Sequence, residues 1–307
     1  MIWLIGNKGM LGTELAALFE SRSMACVGTD RDVDITDPAA LDAFAATQAA
    51  SGAPIDWIVN CAAYTAVDKA EDDTALCRAL NADGPANIAA CAKKIGARLV
   101  HISTDYVFHG DGTRPYREDD PTDPTGVYGL TKRDGEIAAL AANDATYIIR
   151  TAWLYGRHGN NFVYTMLRLM KERDTVTVVN DQRGTPTWAW NLADIVATLI
   201  SKVGPARASA VQRPALADAP AVPYGIYHYT NGGNITWYDF ACEIYRQGRA
   251  TGLLEKDCVV SPCTSEQFPA KVKRPAYSVL DKTKIAAALG VAIPEWQESL
   301  ARFMRLS

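Results

Sequence analysis

The chain has no apolar run of the roughly 18 residues that a membrane-spanning helix requires, and this argues against an integral membrane protein. It has no CxxC pair, although it carries seven cysteines. An odd number of thiols without paired spacing, most of them inside apolar segments, reads as reduced, small hydrophobic residues. No metal site is expected on them, because no local spacing gathers ligands. Positive charge is not in excess either. The formal net charge is −4, so there is no general attraction toward nucleic acids or anionic membranes. The opening MIWLIGNKGMLG lacks the basic start and long apolar core of a signal peptide, and the expected location is the cytoplasm. No internal repeat is visible. The 307 residues, 48% hydrophobic and 21% charged, suit a globular protein with one large core, or a large and a small one.

The first half alternates short apolar runs with amphipathic stretches. IWLI, MACVGT, DWIVNCAA, RLVHIST and ATYIIRTAWLYG read as strands. The segments between them have helical spacing, as in MLGTELAALFESR with Leu11, Leu15 and Leu18. Asp37 and Pro38 supply an N-cap and a first helical residue, and Gly96 supplies a stop. Strand–helix alternation requires parallel pairing with right-handed crossovers. Strands apolar on both faces fit a sheet covered on both sides. The expected fold is therefore α/β: a doubly wound parallel sheet of Rossmann type with a smaller, discontinuous C-terminal unit. The dinucleotide-binding part is expected at 1–155 with about 188–204 and 225–232, and the substrate part at about 156–187 and 233–307. Residues 205–225, rich in Ala and Pro, read as an exposed loop.

Gly6, Gly9 and Gly12 fall between the first strand and the first helix. Glycine there permits a tight turn, lets a pyrophosphate approach the backbone, and lets the helix pack close to the strand. The helix N-terminus then offers free N–H groups to an anion. The spacing GxxGxxG is a relative of the GxGxxG dinucleotide fingerprint, and its place after an N-terminal strand points to dinucleotide binding. Asp30, at the end of the second strand, suits the ribose hydroxyls of NAD. Arg31 beside it suits the 2′-phosphate of NADP. Asp34 and Ile35 follow, placed either to meet an adenine ring or to anchor the loop.

Tyr128 and Lys132 lie four residues apart, on one face of an expected helix. An ammonium beside a phenol favours its ionised form and makes the hydroxyl a better proton donor. The strand before them, HISTDYVF, delivers Ser103, Thr104 and Asp105 at its end, where a hydroxyl can bond the same substrate oxygen as the tyrosine.

In this order, the glycine loop, Thr104 and Tyr128-x-x-x-Lys132 resemble the extended short-chain dehydrogenase/reductases. More narrowly, NCAAYTAVDKAE, STDYVFHGDG, GVYGLTK, RTAWLYGRHGNNFVYTMLRLMKER, VNDQRGTPT and KRPAYSVLD resemble the dTDP-4-dehydrorhamnose reductase family. The likeness covers nearly the whole chain and is weakest over 205–225.

That family reduces the 4-keto group of dTDP-6-deoxy-L-lyxo-4-hexulose with NADPH or NADH. The resemblance implies that Tyr128 is the proton donor, that Lys132 holds the nicotinamide ribose, and that Thr104 orients the keto oxygen. It places Met10, Leu11 and Gly12 at the pyrophosphate, and Ala62, Ala63, Tyr64 and Thr65 along the cofactor. It puts Asp105 and Trp153 against the sugar, Gln182, Thr185 and Thr187 on the nucleotide-sugar side, and Arg274 near the diphosphate. Each has a plainer alternative: a core tryptophan, a capped turn, a solvated charge. Some members of the family dimerise through magnesium held by glutamates. Glu14 matches one of them, but Trp190 and Gln297 stand where two others would fall. No metal is therefore expected, and the expected state is a monomer or a dimer without a metal link. Other readings are a nucleotide-sugar epimerase or dehydratase of the same fold, and a non-catalytic regulatory subunit such as that of methionine adenosyltransferase.

Overall fold

The computed structural model describes residues 1–205, 221–268 and 270–306. The Ala/Pro-rich stretch read as an exposed loop lies mostly outside them, at 206–220. Strand β1 (Ile2–Ile5) is followed by α1 (Met10–Ser21), β2 (Cys26–Thr29), α2 (Pro38–Ala50) and β3 (Trp57–Asn60). Short helices α3 (Val67–Ala70) and α4 (Thr74–Arg78) lead through a π-helical turn, Ala79–Asp83, into α5 (Gly84–Ile95). Then come β4 (Arg98–Thr104), a 3-10 turn at Asp105–Val107, α6 (Val127–Ala142), β5 (Thr146–Thr151) and β6 (Leu154–Tyr155). The chain continues through α7 (Phe162–Glu172), β7 (Thr175–Val179), β8 (Arg183–Gly184), β9 (Thr187–Trp188), α8 (Ala189–Val203) and β10 (Gly225–His228). It closes with β11 (Ile235–Thr236), α9 (Trp237–Ala250), β12 (Val259–Cys263), α10 (Thr283–Leu289) and α11 (Trp296–Met304).

Six strands form one parallel sheet in the order β10-β5-β4-β3-β1-β2. Every residue of β1 is buried, and its alternation divides it between two cores. Ile2 and Leu4 pack with Leu11, Leu15 and the helix α8 residues Leu192 and Val196 on one face. Trp3 and Ile5 pack with Leu41 of α2, Ile88 of α5 and Ala139 of α6 on the other. Full burial of such side chains contributes about 1.5–3 kcal/mol each. The local signals act as the sequence suggests. The Asp37 side chain accepts from Ala39 N at the start of α2, and Gly96 caps α5 with φ 71°. Because β1 sends its connection one way and β3 the other, a crevice opens beyond their C-terminal ends, where such sheets bind ligands.

A separate apolar core gathers α7, α9 and α11 around Met166, Phe240, Trp296 and Phe303. It includes the parallel pair β7–β12, Val259 opposite Thr175. That second strand is absent from the sequence reading, because VVSPC is short and contains a proline. The Ile285 and Leu289 side chains of α10 join the main-sheet core instead. Among the described residues, no helix is long and apolar enough to cross a membrane.

Candidate active site

A cleft of about 980 Å³ runs along the C-terminal ends of β1, β3, β4 and β5. One end is walled by Gly6, Gly9, Met10, Leu11 and Gly12, with Asp30, Arg31, Asp34 and Ile35 beside them. Gly6 adopts φ 78°, the left-handed region open to glycine. A Cβ on Gly12 would sit 2.1 Å from Gly6 O, so α1 closes on the turn only because that position has no side chain. Gly9 caps α1 without any side-chain hydrogen bond, leaving the first N–H groups of a 12-residue helix facing the cleft. A dinucleotide pyrophosphate fits this cradle.

Beside the glycine turn, the Asp34 carboxylate accepts from both the N–H and the hydroxyl of Thr36. These bonds hold it below the usual carboxylate range. The loop-anchoring alternative for Asp34 is thus present in the structure. Ile35 is buried against Gly84, where any Cβ would lie 2.8 Å from Ile35 Cδ1. Arg31 is exposed and forms no ion pair among the described residues. Ala62, Ala63 and Thr65 line the cleft, while Tyr64 does not. Asn81, in the π-helical turn, clasps the Tyr64 backbone: it accepts from Tyr64 N at 2.8 Å and donates to Tyr64 O at 3.0 Å. π-Helical turns concentrate at functional sites. The sequence reading missed Asn81, whose only signal is a polar residue on the inner side of a helix.

The middle of the cleft brings together Thr104, Asp105, Tyr128 and Lys132. Gly126 starts α6, which carries Tyr128 and Lys132 one turn apart. The helix lies close to the 3-10 turn because Gly129 has no side chain; a Cβ there would be 2.2 Å from Tyr106 O. Ser103 and Thr104 point apart, as consecutive strand residues must. The Ser103 hydroxyl donates to Glu136 Oε1. The Thr104 hydroxyl instead donates to Asp105 Oδ1 at 2.9 Å and stands beside the Tyr128 hydroxyl.

Electrostatics here differ from the simple Tyr–Lys expectation. Burial pushes the Tyr128 phenol well above its ordinary value, only partly offset by Thr104. No hydrogen bond joins Lys132 to it. Its Nζ donates to Ile102 O at 2.7 Å and lies 3.3 Å from His101 Nε2. Burial lowers Lys132 to about 8. Burial also raises Asp105 to about 6, offset by the nearby Ser278 and Thr104 hydroxyls, although its Oδ2 lacks a partner at hydrogen-bond distance. In this state Tyr128 is a neutral phenol with its proton in place.

The far end is formed by Trp153 and Asn160; Asn160 was not singled out from sequence. Trp153 has φ 47°, an unusual conformation for a bulky residue. It stacks on Trp237 at 3.6 Å between ring centres, 11° from parallel. Gly184 makes room for it, since a Cβ there would be 2.5 Å from Trp153 Cε2. The remaining sequence candidates do not line this cleft. Gln182 donates to Ser265 Oγ at 2.9 Å, and Thr185 donates to Gly233 O at 2.8 Å. Thr187 is buried beside Thr151. Arg274 pairs with Asp68 at 2.6 Å and reaches Tyr106 Oη at 3.5 Å. Their polar groups are engaged in holding the second core and the 271–274 segment against the first. Glu14 is fully buried and bound by Arg157 at 2.9 Å, so its carboxylate already has its counter-ion.

Two buried imidazoles near the site make stability pH-dependent. Burial and then Arg150 lower His228 to about 3, and burial and then Lys132 hold His101 well below its ordinary value. A folded value below the unfolded one, ~6.5, means that this stability is complete above ~6.5 and is lost as pH falls toward the folded value. Each ring costs about 1.4 kcal/mol per pH unit in that window. Asp105 opposes this below about 6, because its protonation relieves its own burial. Urea melts at pH 7.5 and pH 5 are expected to show a clear net loss of stability at pH 5, and a smaller one in His228→Gln.

A parallel sheet with a glycine turn at β1, a strand-end hydroxyl on β4 and a Tyr–Lys pair on α6 defines a dinucleotide-dependent oxidoreductase fold of the short-chain type. Residues 1–307 match the family described as RmlD substrate binding domain. The chain is 45% identical to a dTDP-4-dehydrorhamnose reductase of Streptomyces griseus, over 97% of this chain and 91% of the relative. It is 42% identical to a probable dTDP-4,6-dihydroxy-2-methyloxan-3-one 4-ketoreductase of Streptomyces antibioticus, over 98% and 93%. A solved dTDP-4-dehydrorhamnose reductase of Bacillus anthracis in complex with NADP superposes with TM-score 0.85 at 33% identity, over 100% of this chain and 99% of that one. The chain belongs to the RmlD family of NAD(P)H-dependent reductases.

Proposed function

We propose that the chain reduces the 4-keto group of dTDP-6-deoxy-L-lyxo-4-hexulose to give dTDP-L-rhamnose, with Tyr128 as the proton donor. The observation that carries this is the meeting of Thr104, Tyr128 and Lys132 in one cleft with the glycine turn. When bound, the reduced nicotinamide supplies the hydride to the carbonyl carbon. Tyr128 gives its hydroxyl proton to the carbonyl oxygen, breaking O–H there and forming it on the product. Thr104 orients that oxygen and, with Tyr128, takes up the charge that develops on it. Lys132 holds the ribose and supports Tyr128. Asp105 and the Trp153–Trp237 stack wall the sugar.

Arg31 supports the use of NADPH, since an exposed guanidinium suits a 2′-phosphate; Asp30 supports NADH. The main sheet, together with α8, β10 and α10, is the cofactor-binding unit, and the α7–α9–α11 core carries the sugar side. Seven free thiols fit a cytoplasmic setting.

The test is an assay with the 4-keto-6-deoxy sugar nucleotide generated in situ, run with NADPH and with NADH. Oxidation of one cofactor per product is expected. Cofactor binding without turnover would favour a binding subunit, and turnover without net cofactor consumption would favour an epimerase or dehydratase. The Streptomyces antibioticus relative raises a specific second reading, 4-keto reduction of a different dTDP-linked sugar. Comparing the two sugars as substrates separates these readings.

A further inference from the structure

The residues behind Lys132 form a chain whose hydrogen-bond polarity follows atom by atom. Ala62 N donates to Asn60 Oδ1 at 3.0 Å. A backbone N–H must meet an acceptor, so the Asn60 oxygen faces Ala62 and its amide nitrogen faces the other way. That nitrogen lies 3.0 Å from His101 Nδ1. It can only donate, so Nδ1 carries the lone pair and the proton of the neutral ring is on Nε2. Nε2 lies 3.3 Å from Lys132 Nζ. An ammonium has only donors, so a charged Lys132 faces N–H with N–H. A neutral amine accepts from Nε2–H and still donates to Ile102 O at 2.7 Å.

We propose that Asn60 and His101 are positioning residues for the reduction: they present an N–H donor to the rear of the Lys132 amine and so favour its neutral form. This rests on the reading of Lys132 as the partner of cofactor and Tyr128. Charging the amine without clash requires the imidazole proton to move to Nδ1. That move turns Asn60 around and breaks its bond from Ala62 N. All three side chains are buried, at 1%, 0% and 2% exposure, so the mismatch is not relieved at the surface.

The ionisable groups from the surrounding elements do not reverse this. Glu136, one turn along α6, favours the charge, but its carboxylate is bound by Arg150 of β5. Cys61 after β3 is pushed up to about 12, and Cys77 of α4 is also raised, so both thiols are neutral where Lys132 titrates. Tyr128, on the same helix, is neutral as well. The His101 ring stays uncharged.

The substitution that reverses the polarity is Asn60→Asp. Its carboxylate accepts from both Ala62 N and His101 Nδ1, moving the ring proton to Nδ1 and offering Nε2 to the ammonium. The alkaline limb of NADPH affinity and of turnover is then expected to move up by about one pH unit. In a His101→Phe background the same substitution is expected to move the limb much less, because only the direct attraction between carboxylate and amine remains once the ring that transmits the polarity is gone. Independently, nitrogen NMR of wild-type protein labelled at its four histidines, with His101→Phe giving the assignment, is expected to show the His101 proton on Nε2. A proton on Nδ1 in the wild type, or a shift of the limb that is undiminished in His101→Phe, overturns the inference. The wild-type spectrum decides even if Asn60→Asp fails to fold. Protein inert on the sugar nucleotide, but with the Nε2 proton and a His101-dependent shift in NADPH affinity, would overturn the proposed function and support this one.

Discussion

Tyr128→Phe is expected to lower turnover on the 4-keto sugar nucleotide by ~10²–10⁴-fold while leaving NADPH affinity and the melting temperature close to wild type. The substitution removes one oxygen and no packing. The Tyr128 ring rests edge-on against Tyr106, 5.5 Å between centres and 77° between planes, and phenylalanine keeps that contact. What disappears is the hydroxyl proton beside Thr104. Thr104 directs its own hydrogen to Asp105, and the Lys132 amine is committed to Ile102 O and faces His101. Burial makes Tyr128 a weaker acid than a free phenol, so its proton stays in place until charge develops on the carbonyl oxygen. Steady-state kinetics with NADPH titrations of both proteins check this. A variant retaining a third or more of wild-type turnover would remove Tyr128 from the proton-transfer step.

The meeting of the glycine turn, Thr104, Tyr128 and Lys132 in one cleft was legible because it is written in short, ordered spacings. GxxGxxG after an apolar strand, a hydroxyl ending β4 and YxxxK starting α6 each lie within a few residues of one element end, and topology brings element ends together. What was not legible are the partners chosen across the fold. Gln182, Thr185 and Thr187 belong to short strands and turns whose neighbours, Ser265, Gly233 and Thr151, come from distant segments. Arg274 has the charge for a diphosphate, but Asp68, 206 positions earlier, takes it. Asn81 and His101 sit in runs that read as ordinary helix and strand, and their roles come only from what faces them. The same holds for β12, whose pairing with β7 links segments more than eighty residues apart. The Tyr–Lys interaction expected from an i,i+4 spacing was also altered by tertiary context, since the Ile102 carbonyl at the end of β4 takes the Lys132 Nζ donor first.

Removing one partner of the ion pair behind α6 is expected to destabilise the protein by about 3–5 kcal/mol. Glu136 and Arg150 are each 2% exposed and meet through Nη2 to Oε2 at 2.7 Å and Nε to Oε1 at 2.9 Å. Ser103 donates to the same carboxylate, and the guanidinium lies 5.0 Å from the Phe108 ring centre. Glu136→Gln leaves the guanidinium buried with an amide that offers one acceptor oxygen in place of two. Arg150→Met leaves the carboxylate with Ser103 alone. The cost arises from the orphaned charge and not from loss of a net favourable bond, so the double variant Glu136→Gln, Arg150→Met is expected to be more stable than the sum of the single effects implies. Urea melts of the four proteins measure this. Additive losses would show that the two side chains act independently. The effect reaches function because Glu136 stands one turn beyond Lys132 on α6, while Arg150 belongs to β5 and reaches the Glu118 carbonyl at 3.5 Å. The pair fixes the rotation of the helix that carries Tyr128 and Lys132 over the sheet. In either single variant turnover should therefore fall more than NADPH affinity, since proton transfer depends on Ångström-level placement more steeply than binding does.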